Sequence, residues 1–240
     1  MTTFTIEEIN RYSKQMMLDE VGFEGQLKIK RAKVLVIGAG GLGCPVLQYL
    51  NAAGVGTLGI VDFDKVEIHN LHRQILYTSE DLGRPKASVA ASKLKQANPN
   101  VQHIVFEELL KEANAPAIIS LFDIVVDGSD NFITRYLVND VCVQLGKPLV
   151  YGTILKMEGQ LAVFNYNGGK NLRDIYPEAP NPEDVPSCSE NGVIGIVPGI
   201  VGTMMSDLAL KIILSQDVET DTLLLADFKN YRFQRISIVG

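Results

Sequence analysis

A doubly wound α/β fold is expected for this chain, with a sheet parallel in its first part and mixed with antiparallel strands towards the C-terminus. Three observations predict it. Short apolar runs alternate with helical stretches from residue 33 to residue 154, the pattern of crossover units. The first run ends in a glycine cluster that opens a helix. Beyond residue 158 the alternation gives way to consecutive strand-like segments.

The elements follow in order. Residues 33–37 (KVLVI) form a continuous apolar run, as in a strand buried on both faces. Residues 42–53 read as a helix, with Pro45 tolerated because it falls in the first turn. A strand at 57–62 and a helix at 86–97, closed by Asn98-Pro99, come next. Then follow a strand at 101–106, a weak helix near 114–121 and a strand at 123–127. A helix at 131–145 leads through Gly146 to a strand at 148–154. Residues 159–166 can fold back on that strand as a hairpin, which makes the later sheet mixed. Residues 167–191 read as a long polar loop with four prolines, of a length that is usually functional or mobile. Residues 199–214 read as a helix apolar on nearly every face, to be buried in the core or against another subunit. Strands at 222–226 and 232–239 end the chain.

Composition narrows the function. The 240 residues are 46% hydrophobic and 21% charged, which excludes general disorder and fits one unit with a sizeable core. Lys and Arg number 22 against 28 Asp and Glu, a net charge of −6 that argues against a nucleic-acid binder. Cys44, Cys142 and Cys188 are too few for a disulfide framework, and no CxxC pair supplies a structural zinc site. The N-terminus is polar, and the apolar stretch Val193 to Met205 is broken by Pro198, so no membrane span is expected. A reduced, cytoplasmic protein is the expectation.

The chemistry concentrates in loops that follow strands. Gly38-Ala-Gly40-Gly41-Leu-Gly43 follows the first strand and opens the first helix. Small residues there let backbone approach a phosphate, and the helix N-terminus offers free N–H groups. Asp62 ends the second strand, where a carboxylate can accept from ribose hydroxyls in this Rossmann-like context. NAD, FAD and ATP all suit such a cradle. Arg73 and Lys86, flanked by Asn70 and Gln74, add the positive charge that a triphosphate needs. Asp130, after the strand at 123–127, can hold Mg2+ or cap the helix starting near Asn131; local sequence alone favours the cap.

Together these motifs resemble the MoeB/ThiF adenylyltransferases, relatives of ubiquitin-activating enzymes. The resemblance rests on Arg11-Tyr-Ser-Lys14-Gln, the glycine loop, Asp62-Phe-Asp64, Asn70-Leu-His-Arg73-Gln74 and Gly83-Arg-Pro-Lys86. Ser129-Asp130-Asn131, Met157-Glu-Gly-Gln160 and Ser187-Cys188-Ser-Glu-Asn-Gly-Val extend it to about residues 8–238. It implies a single adenylyltransferase domain over 1–240, with an N-terminal helical arm (1–30), a nucleotide-binding half (31–155) and a carrier-binding and dimer half (156–240). It also implies ATP- and Mg2+-dependent adenylation of the C-terminal Gly-Gly carboxylate of a small ubiquitin-like sulfur carrier, ThiS-like or MoaD-like, for thiamin or molybdopterin synthesis. Under this resemblance Gly41 lies against the nucleotide, Asp62 binds ribose, and Arg73 and Lys86 contact phosphates beside Asn70 and Gln74. Asp130 then holds the metal instead of capping. Arg11 belongs to a segment that crosses a homodimer to the partner's ATP.

Two departures stand out. The family's N-terminal arginine aligns with Lys14, which replaces a bidentate fork by a point charge. The two CxxC pairs that bind zinc in many members are missing, Asn171-Leu-Arg-Asp174 standing at the first, so zinc is not expected. Cys188 has two open readings, a covalent carrier adduct or a loop thiol without chemistry; adjacent Glu190 would raise its pKa and weaken it as a nucleophile. Cys44 and Cys142 read as packing residues. His69, His72 and His103 lack metal-ligand spacing. The alternative function is an NAD-dependent oxidoreductase on the same cradle.

Overall fold

The structure, a computed structural model, describes residues 3–180 and 192–238. Eight strands form one sheet: β1 (Lys33–Ile37), β2 (Thr57–Val61), β3 (Gln102–Phe106), β4 (Ile124–Asp127), β5 (Leu149–Leu155), β6 (Glu158–Phe164), β7 (Thr222–Asp227) and β8 (Arg232–Ser237). Their spatial order is β3-β2-β1-β4-β5-β6-β7-β8. The first five pair in parallel, and β5 through β8 pair antiparallel. The mixed sheet expected from the sequence is therefore found.

Eight α-helices accompany it among the described residues: α1 (Ile6–Met16), α2 (Gly22–Arg31), α3 (Gly43–Ala53), α4 (Lys86–Ala97), α5 (Ala115–Ser120), α6 (Phe132–Leu145), α7 (Leu172–Ile175) and α8 (Ile196–Leu214). Alternation along β1 explains why both faces are covered. Val34 and Val36 point into a core shared with α3, α4 and α8. Leu35 and Ile37 point into the opposite core, shared with α5 and α6. The continuous apolar run of a central parallel strand is the consequence of burial on both sides.

The structure corrects the sequence expectation at two places. The last long helix begins at Ile196, not at 199, because Pro198 sits in its first turn, where a missing N–H costs nothing. Within the single chain Val197, Val201, Met205, Ala209 and Ile212 face the core, while Ile200, Met204 and Leu208 are half-buried. The helix's length and apolar composition would suffice to cross a membrane, but its core face packs on α3, β5 and β6.

The stretch read as a polar loop from 167 contains α7. Asn171 caps it, accepting from Arg173 N–H at 2.9 Å, while Asp174 accepts from Asn171 N–H at 2.7 Å. Arg173 grips Asp140 of α6 with two bonds of 2.7 Å and lies 4.9 Å over the Tyr136 ring. Leu172 N–H donates to Asn139 Oδ1 at 2.9 Å. The segment aligned with the first CxxC is thus held by side chains of α6.

Candidate active site

The strand order reverses between β1 and β4, so a crevice opens at their carboxyl ends, where open α/β sheets bind ligands. Two loops line it: the glycine loop after β1 and residues 128–131 after β4. Gly38 has φ +85°, and a side chain there would meet Gly128 O at 3.0 Å, so the two loops touch. At Gly43 a Cβ would lie 1.8 Å from Gly38 O, which no side chain can accommodate. Gly41 packs beneath Pro198, whose Cβ would be 3.2 Å from an added methyl, so α8 begins directly over the cradle. Gly40 lies beside Gln74, whose buried Oε1 has no partner among the described residues.

Asp62 does more than wait for a ribose. Its Oδ2 accepts the Ala39 N–H at 2.8 Å and its Oδ1 accepts the Asp64 N–H at 2.8 Å. The carboxylate thereby ties the end of β2 to the glycine loop. Burial pushes its pKa up, opposed by the Ala39 N–H and by nearby Lys86. Tyr77, which the sequence reading missed, donates from its hydroxyl to Ala39 O at 2.8 Å and closes the loop from the other side. Its signal was weak, one tyrosine within an ordinary loop.

The expected cations gather here. Lys86 opens α4 and is only 5% exposed; its Nζ sits 2.9 Å from Asp64 Oδ2. Arg73 Nη1 donates to His69 O at 2.8 Å and lies 2.9 Å from His72 Nε2. Arg73 rests on a carbonyl and an imidazole that a phosphate oxygen would outcompete, because charge-assisted bonds are stronger than neutral ones, whereas Lys86 already holds a carboxylate. Asn70 is buried, and its Oδ1 accepts the Glu67 N–H at 3.0 Å, which shapes the turn leading to Arg73.

On the other loop, Asn131 caps α6 by accepting the Thr134 N–H at 2.9 Å. The cap is therefore Asn131 and not Asp130. Asp130 is exposed and makes no hydrogen bond or ion pair among the described residues. A free carboxylate at the crevice suits Mg2+, which takes one or two carboxylates together with phosphate oxygens. No three His, Cys, Asp or Glu side chains converge as a metal cage among the described residues.

Arg11 and Lys14 lie elsewhere. Arg11 donates to Ala97 O, at the end of α4, at 3.0 Å. One turn on, Gln15 donates to Ala53 O, at the end of α3, at 3.2 Å. Both helices begin at the cradle, so α1 sits at their far end, roughly 16 Å away at 1.5 Å rise per residue. Arg11 is thereby held away from the crevice of its own chain.

Cys44 and Cys142 are buried, and burial pushes both thiols up to about 12, as befits packing residues. Cys188 lies outside the described residues. His103 is a β3 residue, its Nε2 2.9 Å from Asn51 Oδ1.

A glycine cradle at the switch point, a basic cluster on one rim and a free carboxylate on the other define a nucleotide-using α/β protein. The chain belongs to the ThiF family, whose sequence pattern matches residues 12–239. It is 53% identical over 216 residues to the sulfur carrier protein adenylyltransferase of Thermus thermophilus, a match that covers 88% of this chain and 80% of that protein. It is 47% identical over 238 residues to the adenylyltransferase and sulfurtransferase MOCS3 of Danio rerio, covering 99% of this chain and 52% of the relative. The chain spans about half the length of the MOCS3 relatives it matches. Among solved structures, selenomethionine PaaA superposes with TM-score 0.85 at 20% identity, over 100% of this chain and 76% of that one. Escherichia coli MccB with ATP superposes with TM-score 0.76 at 19% identity, over 89% and 65%. The Thermus thermophilus and Danio rerio relatives are adenylyltransferases by name, and the oxidoreductase alternative has no support in either.

Proposed function

We propose that this chain uses ATP and Mg2+ to adenylate the C-terminal carboxylate of a small ubiquitin-like sulfur carrier, ThiS-like or MoaD-like, in thiamin or molybdopterin synthesis. The observation that carries this reading is Lys86, a nearly buried cation beside the glycine cradle whose partner is the half-exposed Asp64. A pyrophosphate cofactor would leave that charge and Arg73 surplus; a triphosphate uses both.

The carrier's terminal carboxylate has an ordinary pKa near 3.3–3.7, so it is ionised at neutral pH and needs no general base. The barrier is electrostatic, one anion approaching the α-phosphate of another. Arg73 and Lys86 hold the phosphates in line and stabilise the charge that moves to pyrophosphate. Asp62 and the glycine loop seat the nucleoside end, with Asp64, Asn70 and Gln74 shaping the rim. Asp130 would hold Mg2+, which when bound neutralises phosphate charge.

A homodimer supplies the rest. Arg11 is held away from its own crevice, so it and Lys14 serve the nucleotide of a partner subunit. The half-buried side of α8 offers apolar surface for such an assembly. Two buried, unlinked cysteines suit a cytoplasmic setting.

The test is carrier-dependent exchange between ATP and pyrophosphate, with mass spectrometry of the carrier for the added adenylate. Asp130→Ala should abolish exchange while leaving adenosine binding intact; retained exchange would remove the metal role from Asp130. For Cys188, a carrier-linked adduct present in the wild type and absent in Cys188→Ser would establish covalent work. A stable monomer by light scattering that still catalyses exchange would refute the shared site.

A further inference from the structure

Arg135 lies in the second turn of α6 and is 5% exposed. A buried guanidinium is costly unless its hydrogen-bonding groups are satisfied. Here Nη2 donates to Ser129 O at 2.7 Å and Nη1 donates to Tyr151 Oη at 3.1 Å, with the guanidinium 5.3 Å from the Tyr151 ring centroid. The bonds join three segments: the loop after β4, helix α6 and strand β5.

The same peptide is held from its other side. Asp127, fully buried at the end of β4, accepts the Ser129 N–H on Oδ1 at 2.9 Å. Its Oδ2 and Ser129 Oγ are buried without a partner among the described residues. Ser129 is thus gripped at both N–H and C=O, and the next residue is Asp130. The loop also abuts the glycine cradle through Gly128 and Gly38.

We propose that Arg135 is a positioning residue for adenylation: by clamping the Ser129 carbonyl against Tyr151 it fixes the backbone that presents Asp130 to the phosphate-bound cation. Arg135 itself touches no nucleotide. An arginine is required because its planar fork reaches two acceptors on different elements at once, which a lysine point charge does not reproduce. The link to adenylation rests on the role proposed above for Asp130; the clamp itself does not.

Two readouts on the full chain separate these parts. The first is amide hydrogen exchange of residues 128–131 without ligand. Arg135→Lys should speed exchange at Ser129 and Asp130 about tenfold, the loss expected for one buried hydrogen bond, while β1 amides keep their protection. Tyr151→Phe, which removes one partner of the fork, should act in the same direction and serves if the arginine variant fails to fold. The second readout is the Mg2+ concentration at half-maximal pyrophosphate exchange. It should rise about tenfold in the same variants, matching a misplaced single ligand, with metal-free adenosine affinity unchanged. Unchanged loop exchange in both variants would overturn the clamp. A loosened loop with a wild-type Mg2+ requirement would overturn its link to Asp130. A wild-type chain without any pyrophosphate exchange would fault the adenylation reading alone, and loop exchange would still decide the clamp.

Discussion

The centre of the sheet and its antiparallel edge solve the same problem in opposite ways. In β1, β2 and β4 nearly every residue is buried, because helices lie on both faces. In β8 every residue is exposed, although it pairs with β7 along its whole length. The central parallel strands therefore draw their stability from apolar burial, and the outermost strand β8 from backbone pairing, with Gln234 and Arg235 on it, the latter paired with Glu219 at 3.1 Å. Polar and charged side chains on an edge strand also discourage pairing with other chains. The crevice sits inside the first regime, where a rigid floor can hold loops in place. The exposed ribbon belongs to the second, where change is tolerated.

The contrast breaks first at Gly43. Gly43→Ala places a methyl inside the Gly38 carbonyl contact, so the cradle must open or the chain must fail to fold. A loss on the order of 3 kcal/mol or more is expected, together with loss of ATP binding. Calorimetric unfolding and nucleotide titration read both. Next in size is a matched pair of deletions. Leu35→Ala, at a fully buried position of β1, should cost about 2–5 kcal/mol. Ile236→Ala, 41% exposed on β8, should cost under about 1 kcal/mol. Equal losses in urea unfolding would show that the two regions do not differ as described.

The parallel part was also the legible part. Apolar runs, short loops and glycines are local signals, so β1 to β5, the cradle and Asp62, Arg73 and Lys86 could be placed from residues alone. What escaped was set by contacts between distant segments. Arg135 carries no local signal, since one of its partners, Tyr151, lies on a different element. Asp130 and Asn131 cap helices equally well in principle, and only the fold shows that Asn131 does so. Pro198 read as a break because its place in the first turn of α8 depends on packing over Gly41. In the polar stretch after residue 167, four residues form a helix whose anchor, Asp140, lies in another element.

A smaller effect distinguishes the outer edge of the parallel half. Burial, aided by nearby Lys95, pushes the His103 pKa down to about 4. The folded chain keeps this ring neutral while the unfolded chain protonates it near 6.5. Folding is therefore favoured by the full amount above pH 6.5, and the contribution is lost as pH falls towards 4. Between those values the unfolded state holds up to about one extra proton. His103→Gln should flatten the stability–pH curve in this window; an unchanged slope would place the titration elsewhere.

The smallest expected effect is at α7, where the antiparallel half is fastened to α6. The Arg173 guanidinium beside Asp140 holds that carboxyl below its usual range. A depressed carboxylate pKa means the fastening is complete at neutral pH, above the ordinary value near 3.9, and is lost as pH falls through the folded value. Both side chains are nearly half exposed, so solvent screening limits the pair to about 0.5–1 kcal/mol. Arg173→Met should then speed amide exchange at Leu172, whose N–H bonds Asn139, about two- to fivefold at pH 7. At a pH below the folded Asp140 value the wild type should approach the variant, because protonated Asp140 no longer attracts the guanidinium. High salt at pH 7 should narrow the gap in the same way. If instead the variant loses protection equally at both pH values, Arg173 acts through its stacking on Tyr136 and not through its charge. The attachment of the outer half would then be apolar after all, and the division between the two regions of the sheet would lose its electrostatic side.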